Sequence, residues 1–166
     1  IVVVVYGKAY AKLLADITLP NLAAMVREIP DSLRAKSLLR ILTTADDIPV
    51  IEASAAMPAI RGAVRVEILD TLKMAGFERH GGYGPMVVTQ REAVYDAARA
   101  NAAIFFVGPD QIYSRGSFAN FINWLRQGYR IVVGPGVRIM RDAARPMLCK
   151  RIAASDEGSL SLPADE

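Results

Sequence analysis

The first six residues, Ile-Val-Val-Val-Val-Tyr, constrain this chain more than any other stretch. β-branched side chains are stiff at χ1 and favour an extended backbone. Every position is apolar, not every second one, so both faces of the strand must be covered. That is the condition of a parallel sheet with helices on its two sides. Gly7 ends the run.

Four further stretches read as strands: Leu38–Thr43 (LLRILT), 64–69 with alternating Val64, Val66 and Ile68, 102–107 (AAIFFV), and 129–133 (YRIVV). Helical spacing fills the intervals. Tyr10, Leu13, Leu14 and Ile17 make one apolar face, and Leu22, Met25, Val26 and Ile29 a second. Pro20 separates them, with Thr18 as a candidate cap for the second. A helix is expected over 48–57, capped by Asp46 or Asp47, and another over 87–100 with Val87, Val94 and Ala98 inward. Phe118, Phe121, Ile122 and Leu125 give an i, i+3, i+4, i+7 stripe, with Ser117 as N-cap, Gly128 as C′ glycine and Trp124 packed beside it. Residues 71–86 hold Gly76, Gly81, Gly82, Gly84 and Pro85 and read as a mobile loop. Strands alternating with helices predict a three-layer α/β/α fold around a mostly parallel sheet.

The composition, 52% hydrophobic and 22% charged over 166 residues, is that of a globular chain. Residues 1–154 are expected to form one domain. The polar, weakly patterned stretch 155–166 reads as a tail or as the start of a truncated C-terminal region. A chain opening on Ile1 without a methionine reads as a piece of a longer protein. The formal charge of +3 suits anionic small molecules and gives no nucleic-acid footprint. One cysteine, Cys149, excludes an internal disulfide and suits a reducing compartment; its setting is that of a small core residue. With one histidine, His80, a Cys/His zinc site is excluded by count. No apolar run reaches the ~18 residues that span a bilayer, and no basic segment precedes the opening strand. A cytoplasmic location is expected.

In open α/β sheets ligands bind at the carboxyl ends of the strands. Asp110 stands just past one of them, after the break at Gly108-Pro109, although an aspartate there also suits a plain turn. Asp46, Asp47 and Asp70 stand past two others. Gln90 and Arg91 open a helix. Arg138, Arg141 and Arg145 follow the break at Gly134-Pro135-Gly136, where guanidinium groups suit phosphate or simply face solvent. Neither GxxxxGK[ST], GxGxxG nor GxSxG occurs, which argues against a P-loop, an ordinary nicotinamide domain and a hydrolase elbow.

In order and spacing, VVYGKAY, ILTTADD, AVYDAARAN, AIFFVGPDQIYSRGSF and FINWLRQGYRIVVGPGVR resemble a GT-A type nucleotide-sugar-dependent glycosyltransferase domain. The likeness is to a bacterial, largely uncharacterised group of such proteins and covers nearly the whole chain. The resemblance implies that Tyr6 and Gly7 line a nucleotide pocket, that Asp46 reads the base, and that Gln90, Arg91 and Arg138 face the sugar nucleotide. It makes Asp110 the last acid of an Asp-x-Asp motif that binds a divalent metal, manganese or magnesium, on the donor's diphosphate. Here the chain departs from the pattern, because Gly108 stands where the first acid belongs. No residue matches the general base; His80 and Asp142 are the candidates. The implied activity is transfer of a sugar from a nucleotide-sugar donor to an unknown acceptor. The alternative is a non-catalytic binding or scaffolding domain that has lost the full metal site. A nucleotidyltransferase ranks last, since only Gly7-Lys8 follow Tyr6 where a glycine-rich basic loop is needed.

Overall fold

The computed structural model describes residues 1–71 and 84–133. The chain divides into two compact units, Ile1–Arg130 and Ile131–Glu166. All described helices and strands belong to the first. The expected boundary at 154 lies outside the described residues.

Four parallel strands, β1 (Val2–Val4), β2 (Leu38–Thr43), β3 (Arg65–Asp70) and β4 (Phe106–Val107), stand in the order β3-β2-β1-β4. Val3 pairs with Ile41 and Val107, and Ile41 with Ile68, so one pleat direction collects aliphatic side chains from every strand. On that face the sheet meets α1 (Lys8–Leu13), α2 (Leu19–Met25), α4 (Ile48–Glu52), α5 (Met57–Ala63) and α7 (Ser117–Arg126), and the short α3 (Asp31–Arg34) precedes β2 without a buried residue. The core there includes Val3, Val5, Leu14, Leu22, Leu39, Ile41, Ile60 and Phe118. The opposite face buries Val2, Val4 and Leu42 under Ala93 of α6 (Gly84–Arg99). Both faces of β1 are thus covered, as its unbroken apolar run requires. The first unit is a three-layer α/β/α domain with a parallel sheet. Right-handed crossovers explain why the helix leading to β4 changes sides: the chain reverses direction along the sheet after β3.

Pro20 does not divide the first helical segment. A π-helical turn, Leu14–Thr18, absorbs it, and helix continues into α2. The Leu19 N–H bonds the Leu14 carbonyl, and Pro20 has no N–H to offer the next carbonyl, that of Ala15. Ser54 Oγ donates to that carbonyl at 2.6 Å instead. Thr18 is helical and caps nothing. The inward face Leu22, Met25, Val26 and Ile29 is as expected, all four buried.

Several expectations are corrected. The helix expected over 48–57 stops at Glu52, and α5 starts only at Met57. In α6 the buried positions are Val88, Thr89 and Ala93, while Val87 and Val94 are 59% and 44% exposed. Arg40 of β2 also reaches α6: its Nη1 bonds Asp96 at 2.7 Å while its Nε and Nη2 bond Glu67 of β3. Residues 129–133 form no strand, and Trp124 is exposed. Gly116, at φ 87°, precedes α7 as N-cap where Ser117 was expected. Gly128, at φ 89°, does close α7 at C′, with its N–H on Leu125 O and that of Tyr129 on Trp124 O. Of the loop expected over 71–86, residues 84–86 already belong to α6, and 72–83 lie outside the described residues, as does Cys149.

Candidate functional site

β4 joins β1 on the edge away from β2, and the chain reaches it through α6, on the face opposite to α1. The crevice at the carboxyl ends of these two strands is where an open α/β sheet binds its ligand. Tyr6 and Gly7 form its β1 lip, and Gly108, Pro109 and Asp110 its β4 lip.

At the β1 lip, Tyr6 Oη hydrogen-bonds Thr89 Oγ1 at 2.7 Å, which ties α6 to the end of the strand. Gly7 takes φ 88°, a conformation costly for other residues, and turns the chain into α1. Its N–H donates to Asp47 Oδ2 at 2.7 Å, and Thr44 Oγ1 donates to the same oxygen at 3.0 Å. Asp47 is only 4% exposed, whereas its neighbour Asp46 is exposed. Of the two acids, the one beside Gly7 is therefore Asp47. Its carboxylate occupies the backbone donor after β1 that dinucleotide-binding folds offer to a phosphate. Gln90 is half-buried on α6; Arg91 is exposed and pairs with Glu92 at 3.3 Å. Arg138, His80 and Asp142 lie outside the described residues.

The β4 lip is fixed by side chains from residues 18–28. Thr18 Oγ1 donates to the Pro109 carbonyl at 2.7 Å. Asn21 clasps the Tyr113 backbone in both directions, Nδ2 to the carbonyl at 3.0 Å and Oδ1 from the N–H at 2.8 Å. Glu28 accepts the N–H groups of Gly116 at 2.7 Å and Phe118 at 3.3 Å, so it caps α7 across 88 residues of chain. Phe105 stacks edge-on against Phe118 and Phe121 beneath. Asn21 and Glu28 were not singled out from sequence, and Thr18 only as a helix cap. The available signal was three polar residues bordering an apolar stripe on one helical stretch.

Asp110 itself is exposed and makes no hydrogen bond or ion pair among the described residues. Gly108, two residues before it, is crowded: a Cβ there would lie 2.8 Å from Gln111 Cδ. The Gln111 carboxamide folds onto this glycine and takes its N–H on Oε1 at 2.8 Å. The place where a first acid of a metal pair would stand is thus filled by Gln111. Among the described residues no group of three or more His, Cys, Asp or Glu side chains could hold a metal ion. Asp110 with Gln111 is a poor fit to a divalent cation, which takes several oxygen ligands.

No family model, curated protein or solved structure matches this chain. What the geometry does establish is a generic Rossmann-like arrangement, a parallel sheet between helical layers. Among the described residues no helix is long and apolar enough to cross a membrane.

Proposed function

We propose that this chain is a non-catalytic binding domain of glycosyltransferase-like architecture, which seats a nucleotide sugar or its nucleotide at the crevice between β1 and β4. The observation that carries the reading is the Gly108–Gln111 contact. It supports a β4 lip built around a carboxamide instead of a second carboxylate, with Asp110 left as a single exposed acid. Sugar transfer through a metal at Asp110 is the competing reading.

Thermal unfolding with uridine and guanosine diphosphates, with and without manganese, separates the two. A ligand at a hundredfold excess over its Kd stabilises a folded chain by about 2.7 kcal/mol. At this chain length that raises Tm by roughly 5–10 °C. The expected result is a shift of that order with one nucleotide, the same with EDTA as with manganese, and retained in Asp110→Ala. A shift that requires manganese and vanishes in Asp110→Ala would favour the transferase.

A further inference from the structure

Gln111 is held in a way that leaves half of it unused. Its Oε1 accepts from the Gly108 N–H at 2.8 Å and from the Tyr113 hydroxyl at 2.5 Å. A backbone N–H can only donate, so the oxygen end of the carboxamide is fixed and the nitrogen end is the other one. Nε2 makes no hydrogen bond among the described residues, and Gln111 is exposed. Tyr113 stays a donor: burial pushes its phenol above the ordinary value of 10.0, against a smaller opposing effect from the Gly108 backbone. Thr18 and Asn21 hold the backbone on either side. The β4 lip therefore carries two unspent N–H donors on an oriented amide, next in sequence to the unpartnered carboxylate of Asp110.

That pairing selects a ligand chemistry. A phosphate oxygen suits the Gln111 donors but is repelled by Asp110. A bare cation suits Asp110 and leaves the donors unused. A hydroxyl both donates and accepts, so two adjacent hydroxyls satisfy both side chains at once. We propose that Gly108, Asp110 and Gln111 form a metal-free site for a neutral carbohydrate, whose neighbouring hydroxyls donate to the Asp110 carboxylate and accept from Gln111 Nε2. Gly108 belongs to the site because any side chain there displaces the carboxamide. The inference deepens the binding-domain reading and rests on it only for the crevice being the ligand's place.

The test is an NMR titration of the full ¹⁵N-labelled chain, following the Gln111 side-chain amide signals. Free glucose, galactose, mannose and N-acetylglucosamine are added to tens of millimolar, with inorganic pyrophosphate and magnesium chloride as separate probes. At least one sugar should shift the Gln111 amide, and neither pyrophosphate nor magnesium should. Gln111→Glu keeps both bonds accepted by Oε1 and replaces the outward donors by a charged acceptor. It should weaken the sugar roughly tenfold or more, the size of one lost hydrogen bond, with Tm unchanged. Gly108→Ala should weaken it in the same direction. The proposal is overturned if no sugar moves the signal, if pyrophosphate alone moves it, or if Gln111→Glu binds as well as the original chain. Sugar binding without any nucleotide effect on Tm would refute the nucleotide reading and leave this one standing.

Discussion

Replacing Ser54 by alanine tests the account of how the chain tolerates a proline inside its first long helical segment. The Ala15 carbonyl has lost its helical partner, because Leu19 N–H is engaged by Leu14 and Pro20 has none. Ser54 Oγ supplies the missing donor at 2.6 Å in a buried setting, and Ser54 is 8% exposed. Removing the hydroxyl leaves a buried carbonyl without a partner, which costs about 1–3 kcal/mol. For a chain of this length that lowers Tm by roughly 2–12 °C. The decisive measurement is a double-mutant cycle in urea. Pro20→Ala restores an N–H at position 20, so in that background Ser54→Ala should cost about 1 kcal/mol less than in the original chain. Strict additivity of the two substitutions, or a Ser54→Ala cost near zero in the original chain, would refute the reasoning.

Other consequences are equally direct. Glu28→Ala removes the acceptor for two N–H groups at the start of α7 and should destabilise the fold by about 1 kcal/mol by urea denaturation; Glu28→Gln, which keeps an acceptor, should cost less. In a chain whose first residue is Ile1, burial, aided by the Arg40 charge, lowers the terminal ammonium from 8.0 to about 6. Between those values the unfolded state binds more protons than the folded one, so stability should rise from pH 6 to pH 8, by up to roughly 3 kcal/mol. N-terminal acetylation should abolish that rise in denaturation curves. Gly108→Asp combined with Gln111→Ala supplies a second carboxylate and clears the space it needs; calorimetry should then detect manganese binding absent from the original chain.

The sheet was legible because its strands advertise burial. Six β-branched or aromatic residues without a polar break admit few environments, and Leu38–Thr43 falls where its pattern places it. The α6 face was misread for a physical reason. Val87, Val94 and Ala98 repeat at helical spacing, yet one helix covers only part of a sheet face, and the side turned inward is that of Val88, Thr89 and Ala93, with Thr89 bonded to Tyr6 and Asp96 to Arg40. Such long-range pairing leaves no periodic trace. The same holds at the crevice. Asp110 was visible as an acid after a strand, but the clasp of Asn21 on Tyr113 and the fold of Gln111 onto Gly108 depend on tertiary placement. The adjacency of Asp46 and Asp47 marked the right spot, and burial alone selects Asp47 as the partner of Gly7.

The central claim is that the β4 lip works without a metal. Manganese titrated into the ¹⁵N-labelled chain, with uridine diphosphate present, reports on this directly through paramagnetic broadening of nearby amides. The account predicts that the signals of residues 108–111 persist at equimolar manganese, broadening no more than those of other exposed acids. Their selective disappearance, abolished by Asp110→Ala, would contradict it.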